Sequence, residues 1–184
     1  GFARLETTNL ALSASERLSV VDLVFKVGGK TETITIASER APIQTTSSEH
    51  SALIDANQIT ELPTRGRDVF GLMATLPGVV YDGRGGDGIG QTNSPDAFSG
   101  TRGIFSTANI DGVSGNVRSG SSLDTTVAMD TVAEVKVLLN NYQAEYGKAA
   151  AGVINIVTKS GSQDFKGSGY YYLRHEKLNA NDFF

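Results

Sequence analysis

Residues 130–161 read DTVAEVKVLLNNYQAEYGKAAAGVINIVTKSG, and this stretch decides the fold. Val132, Val135, Val137 and Leu138 form a first apolar run, too short for a stable helix on its own. Val153, Ile154, Ile156 and Val157 form a second, β-branched throughout, which favours a strand. Between them, residues 142–151 carry Tyr, Gln, Ala, Glu and Lys, which suits one or two helical turns, with Gly147 and Gly152 as breaks. Ser160-Gly161 ends the second run. The predicted unit is strand, short helical or turn segment, strand. Lys136 and Asn155 are the polar interruptions. Strands this apolar on both faces are covered on both sides, so both belong inside a sheet.

Upstream, residues 1–38 read as all-β. Residues 9–12 are a short apolar run. Residues 18–27 alternate in part, through Val20, Val21, Leu23, Phe25 and Val27. Gly28-Gly29-Lys30 is a turn signal, and residues 31–37 set Thr33 and Thr35 against Ile34 and Ile36, as in a half-buried strand. Residues 39–53 are polar, with Pro42 and a Thr-Thr-Ser-Ser run, which reads as a linker.

Two helices follow. Asp55 is placed to cap the first, and Gln58, three residues on, completes a capping box. Ile54 and Ile59 stand at the two positions of a hydrophobic staple, and Pro63 stops the helix. Val69, Leu72, Met73 and Leu76 then repeat as one helical face, with Pro77-Gly78 as its end. Such a pair fits many α+β domains. The core predicted from helices and strands together is Leu62, Val69, Leu72, Leu76, Ile110, Val135, Val137, Ile154 and Ile156.

Residues 82–107 read as a long glycine-rich loop. Its glycines lack the strand, helix and GK[ST] of a phosphate loop. Gly85-Gly86-Asp87-Gly88-Ile89-Gly90 starts like a calcium nonapeptide but does not repeat. A loop this long in a compact domain is commonly functional or mobile. Asn109-Ile110-Asp111-Gly112-Val113 carries a hairpin signal, and residues 115–126 make a second loop of small residues. In residues 165–175, Phe165, Gly167, Gly169, Tyr171 and Leu173 alternate with Lys166, Ser168, Tyr170, Tyr172 and Arg174. That apolar-against-polar pattern suits an outer-membrane barrel strand, and equally a half-exposed strand of a soluble sheet.

Composition excludes several classes of function. The net charge is −4 with both signs scattered, which disfavours a nucleic-acid binder relying on a basic face. There is no cysteine, hence no disulfide framework, thiol nucleophile or Cys-based zinc site. The two histidines, His50 and His175, are far apart in sequence, and no cofactor or metal is expected. No serine sits in a G-x-S-x-G elbow, the acidic residues are spread out, and the chain is expected not to be an enzyme. No apolar run approaches ~18 residues, so no transmembrane helix is predicted. The chain starts without Met and ends on Phe183-Phe184. It is expected to be an excised fragment, and the lack of a signal peptide then says nothing about secretion.

GVINIVTKSG at residues 152–161, after a Tyr-Gly and an Ala/Gly-rich link, resembles the end of the plug domain of TonB-dependent outer-membrane receptors. The order of LP at 62–63, GR at 66–67, LPGV at 76–79, SGTRG at 99–103 and NIDGV at 109–113 resembles the same domain. EVKVLLNNYQAEYGKAAAG and LNANDFF resemble the Oar-like subgroup, whose plug follows a carboxypeptidase-regulatory-like domain. Leu138-Leu139-Asn140-Asn141 stands where commoner receptors carry LRGP, so siderophore or cobalamin specificity does not carry over.

The resemblance implies an α+β chain in three parts. Residues 1–38 would be the last strands of the regulatory β-sandwich, 39–161 a small mixed-sheet plug with two or three short helices, and 162–184 the start of a barrel of about 22 strands. It implies a bacterial outer-membrane location, with the plug in the barrel lumen and the N-terminal part periplasmic. The implied partners are TonB with its inner-membrane energising complex, the chain's own barrel and an unknown extracellular ligand. No nucleic acid is implied.

Glu32, Thr33, Ile34, Thr35, Ile36, Ala37 and Ser38 resemble a TonB box, although the sandwich needs its last strand in the same place. Ligand contact is expected from the two small-residue loops, through Arg84, Asp87, Gln91, Asn93 and Asp96 in the first and Asn116 and Arg118 in the second. In the family the arginine of the SGTRG motif, here Arg102, faces the barrel wall, and Glu145 is a second candidate for such a contact. The residues alone leave another reading open, a soluble carbohydrate-binding or adhesion module built on the glycine loops.

Overall fold

The computed structural model describes residues 5–8, 27, 34–37, 47–64, 67–81, 97–115, 127–165, 167, 169–171, 173, 175 and 177. The architecture is α+β, with short helices and a mixed central sheet. Two strands, β1 (Leu5–Thr8) and β2 (Ile34–Ala37), pair with each other in parallel. The alternation at 31–37 anticipated β2. It did not mark β1, and the turn at Gly28-Gly29-Lys30 lies outside the described residues. Residues 9–12 and most of 18–27 lie outside the described residues, and no β-sandwich is seen among those described.

The next elements are β3 (His50–Ile54), α1 (Ala56–Glu61), α2 (Val69–Met73) and β4 (Val79–Val80). The chain continues through β5 (Ala97–Phe98), β6 (Thr101–Arg102), β7 (Thr107–Ile110), β8 (Val113–Ser114), β9 (Val132–Asn140) and β10 (Val153–Thr158). The central sheet has the order β3-β9-β10-β7-β8. β10 and β7 are parallel, and the other neighbours antiparallel. The long strand β9 and its partner β10 sit inside the sheet, as their two-sided apolar character requires.

The helix starts are locally encoded. The Asp55 carboxylate accepts from the Gln58 N–H at 2.8 Å, and Gln58 Oε1 accepts from the Asp55 N–H at 3.1 Å, the predicted capping box. Ile54 and Ile59 are both buried in the core. Asp68 caps α2 by accepting from the Phe70 N–H, and also accepts from the Tyr81 hydroxyl. The hairpin at Asp111-Gly112 is a two-residue turn with φ of 48° and 81°, the left-handed pair that Asp-Gly favours.

One face of the central sheet carries the core. Ala52, Val137, Ile154 and Ala108 are in register across β3, β9, β10 and β7, as are Ile54, Val135, Ile156 and Ile110 one step along. Val69, Phe70, Leu72 and Met73 of α2 join them, with Val79 and Phe98 from the small sheet β4-β5-β6. Gly152 is where the two sheets meet. A Cβ there would stand 3.1 Å from both the Leu138 carbonyl oxygen and the buried Phe98 ring.

Five expectations need correction. Leu62 is 38% exposed and outside the core, because it is the C-cap of α1, one residue before Pro63. The 39–53 segment is not linker to its end. Residues 50–53 belong to β3, which pairs with the edge of β9 that would otherwise be unpaired. Within 82–107, residues 97–102 form the β5–β6 hairpin, turning at Ser99 (φ 46°) and Gly100 (φ 83°), and 103–105 form a 3₁₀ turn. The expected helical turns in 142–151 reduce to one 3₁₀ turn, Ala144–Tyr146. α2 ends at Met73, leaving Leu76 half-buried in the turn beyond it. Of the alternating segment at 165–175, residues 166, 168, 172 and 174 lie outside the described residues, and Phe165, Tyr171 and Leu173 are exposed. No helix among the described residues is long and apolar enough to cross a membrane.

Candidate functional site

The second face of the central sheet is polar along one row. Register places Lys136 of β9 beside Asn155 of β10, Asn155 beside Asn109 of β7, and Asn109 beside Ser114 of β8. Side chains in register share a face, so four strands contribute to one stripe. Lys136 is 5% exposed and Asn155 is 7% exposed. These are the two positions that interrupt the apolar runs, and they prove to be neighbours.

The buried charge is balanced from outside the strand pair. Lys136 Nζ lies 3.0 Å from Glu49 Oε1, in the segment just ahead of β3, with both side chains under 10% exposed. Among the described residues the Lys136 ammonium is the partner of Glu49 Oε1, a charge-assisted contact between two buried groups. Further along the row, Asn109 Nδ2 donates to Asn155 Oδ1 at 2.9 Å, and Asn155 Nδ2 donates to the Tyr146 hydroxyl at 3.5 Å. The β9–β10 connection thus folds back over this face. Tyr142 stabilises it, donating to the Ala149 carbonyl at 2.9 Å and meeting Tyr146 edge-on at 6.4 Å between ring centres. Burial pushes the Tyr142 phenol up from its ordinary value, so it stays a donor.

A pocket of about 150 Å³ opens at the end of the row, lined by Thr107, Asn109, Ser114, Glu145, Tyr146, Lys148 and Val153. Its walls offer amides, hydroxyls, one acid, one base and one aromatic ring. That inventory suits hydrogen bonding to a polar group and lacks a nucleophile paired with a base.

The residues singled out from sequence are not gathered into one place. Glu145 lies exposed at the rim of this pocket, in the 3₁₀ turn. Arg102 lies exposed at the end of β6, in register with Ala97, which in turn pairs with Val80. Among the described residues no carboxylate pairs with the Arg102 guanidinium, and half-exposed Ile104 and Phe105 follow it. Of the TonB-box candidates, Ile34, Thr35, Ile36 and Ala37 form β2; Glu32, Thr33 and Ser38 lie outside the described residues. Arg84, Asp87, Gln91, Asn93, Asp96, Asn116 and Arg118 all lie outside them. Glu49, Asn109, Tyr146 and Lys148 were not anticipated. The available signal was Lys136 and Asn155, polar residues inside largely apolar strands, each of which asks for a buried partner.

No family model matches the chain. A stretch of 59 residues, 32% of the chain, is 36% identical to the TonB-dependent transporter Oar of Myxococcus xanthus. That stretch is related to a TonB-dependent transporter. The match covers 6% of the length of Oar, so the chain corresponds to a small part of that protein.

Proposed function

We propose that this chain is the plug region of a TonB-dependent outer-membrane transporter of the Oar-like subgroup, closing the lumen of a β-barrel and gating energy-dependent passage of a ligand. The observation that carries the reading is the similarity to Oar. A small mixed sheet with two short helices and buried central strands is compatible with it. The chain's role is mechanical and recognitive rather than catalytic.

In this reading residues 32–38 meet TonB by strand pairing, and the chain between them and β3 passes tension to the plug. The connections around 82–96 and 116–126 face the ligand. Arg102 and Glu145 face the barrel wall, with exposed Ile104 and Phe105 close after Arg102 in the chain. A plug suited to this work seals as a whole and opens in parts.

The test is removal of residues 47–161 from the intact protein, followed by measurement of single-channel conductance in planar bilayers and of cell sensitivity to vancomycin. An assembled barrel without its plug is expected to conduct and to admit the antibiotic. Unchanged conductance and sensitivity, with the protein assembled in the outer membrane, would overturn the proposal.

A further inference from the structure

Arg67 lies in the turn between the two helices with φ of 56°, a left-handed conformation that is uncommon for a residue with a long side chain. Its guanidinium reaches Asp130, with Nη2 2.6 Å from Oδ1. Asp130 belongs to the 3₁₀ turn Met129–Thr131, which feeds β9. Lys159, just past the end of β10, donates its N–H to the Thr131 carbonyl at 2.7 Å and its ammonium to the Asp130 carbonyl at 3.0 Å. Three parts of the plug therefore converge on the turn that carries Asp130.

A fourth part arrives from the outgoing chain. Tyr170 donates a hydrogen bond to the Asp130 carboxylate. Its ring lies under the same guanidinium, with Arg67 Cζ 5.6 Å from the ring centre. A tyrosine meets both demands at once: its hydroxyl serves the carboxylate, and its ring face serves the planar cation. Tyr170 also belongs to the polar set of the alternating segment. The members of the apolar set, Phe165, Tyr171 and Leu173, are exposed. Tyr170, itself 57% exposed, thus touches the plug from this segment, and the uncovered Phe165, Tyr171 and Leu173 suit the lipid side of a barrel wall.

We infer that Arg67 and Asp130 form a docking site for the segment that leaves the central sheet, with Tyr170 as its anchor. In the intact transporter this site fastens the plug to the lumenal side of the first barrel strand. The second statement rests on the transport reading above. Among the described residues, Arg67, Lys159 and Tyr170 are the ionisable groups that face Asp130; burial works against its charged form, and Tyr170 and the two cations favour it.

The test uses the intact protein in the outer membrane, carrying Thr131→Cys with Gly169→Cys, which flank the site and leave Arg67, Asp130 and Tyr170 in place. A short bis-methanethiosulfonate reagent bridges the two thiols, and the linked peptide is read by mass spectrometry after proteolysis. The linked peptide is expected in the double variant and lost to the background of the single variants when Asp130→Asn is added. A linked peptide no more abundant than in the single variants, in an assembled protein, would overturn the docking. If that pair blocks assembly, Thr131→Cys with Tyr171→Cys replaces it under the same two outcomes. A cross-link in a protein that fails the permeability test supports the contact and removes only its barrel setting. No cross-link in a protein that passes that test removes the docking and keeps the plug.

Discussion

Lys136 Nζ and Glu49 Oε1 stand 3.0 Å apart in the interior, joining the segment ahead of β3 to the central strand β9. The pair ties the segment entering β3 to the neighbouring strand β9.

Removing either partner leaves the other buried and uncompensated. Lys136→Met and Glu49→Gln are each expected to cost roughly 3–5 kcal/mol of unfolding free energy, whereas Lys136→Met with Glu49→Leu should recover most of the loss. Urea unfolding of the four proteins checks this. Additive losses in the double variant would show that the two side chains do not act as a pair.

Gly152→Ala is expected to destabilise by about 1–3 kcal/mol through overpacking. The added methyl would press on a strand carbonyl and on Phe98, neither of which has room to give. A thermal midpoint equal to the parent protein's would mean that the small sheet moves aside freely. Phe98→Leu in the same background should restore part of the loss.

Acid sensitivity should concentrate at two carboxylates. The Thr158 N–H and hydroxyl, both donating to Asp111, hold its carboxyl below the usual range. For Asp130, burial works against ionisation but is outweighed by hydrogen bonds from Tyr170 and Arg67 and by the charges of Arg67 and Lys159. A folded-state value below the unfolded one, about 3.9 for an aspartate, gives stability that is present above that value and lost as pH falls through the folded one. The stability difference between the parent and Asp111→Asn should therefore narrow as pH drops below about 4. A difference constant across that window would remove Asp111 from the account.

Ile34→Pro and Ile36→Pro separate two roles for β2, since proline removes backbone donors. Energised transport lost at normal surface levels would support the TonB contact. Loss of folding or of surface levels would assign the segment to its pairing with β1. Wild-type transport would end the idea.

What the sequence determined by itself lies within a few residues of each signal. Asp55 and Gln58 form their capping box three positions apart, and Asp111-Gly112 closes its hairpin inside a four-residue turn. Both depend on backbone geometry that neighbouring residues dictate, whatever the rest of the chain does. The burial of β9 and β10 was legible too, because only an interior place suits strands apolar on both faces. Tertiary structure decided which residues meet. Nothing near Lys136 announces Glu49, Asn155 or Asn109, since their alignment follows from strand order and register, and a slip of one residue would turn each side chain to the other face. Leu62 illustrates the same limit from the other side. Its apolar side chain asked for the core, but its place one step past the last turn of α1 left it no face to pack against.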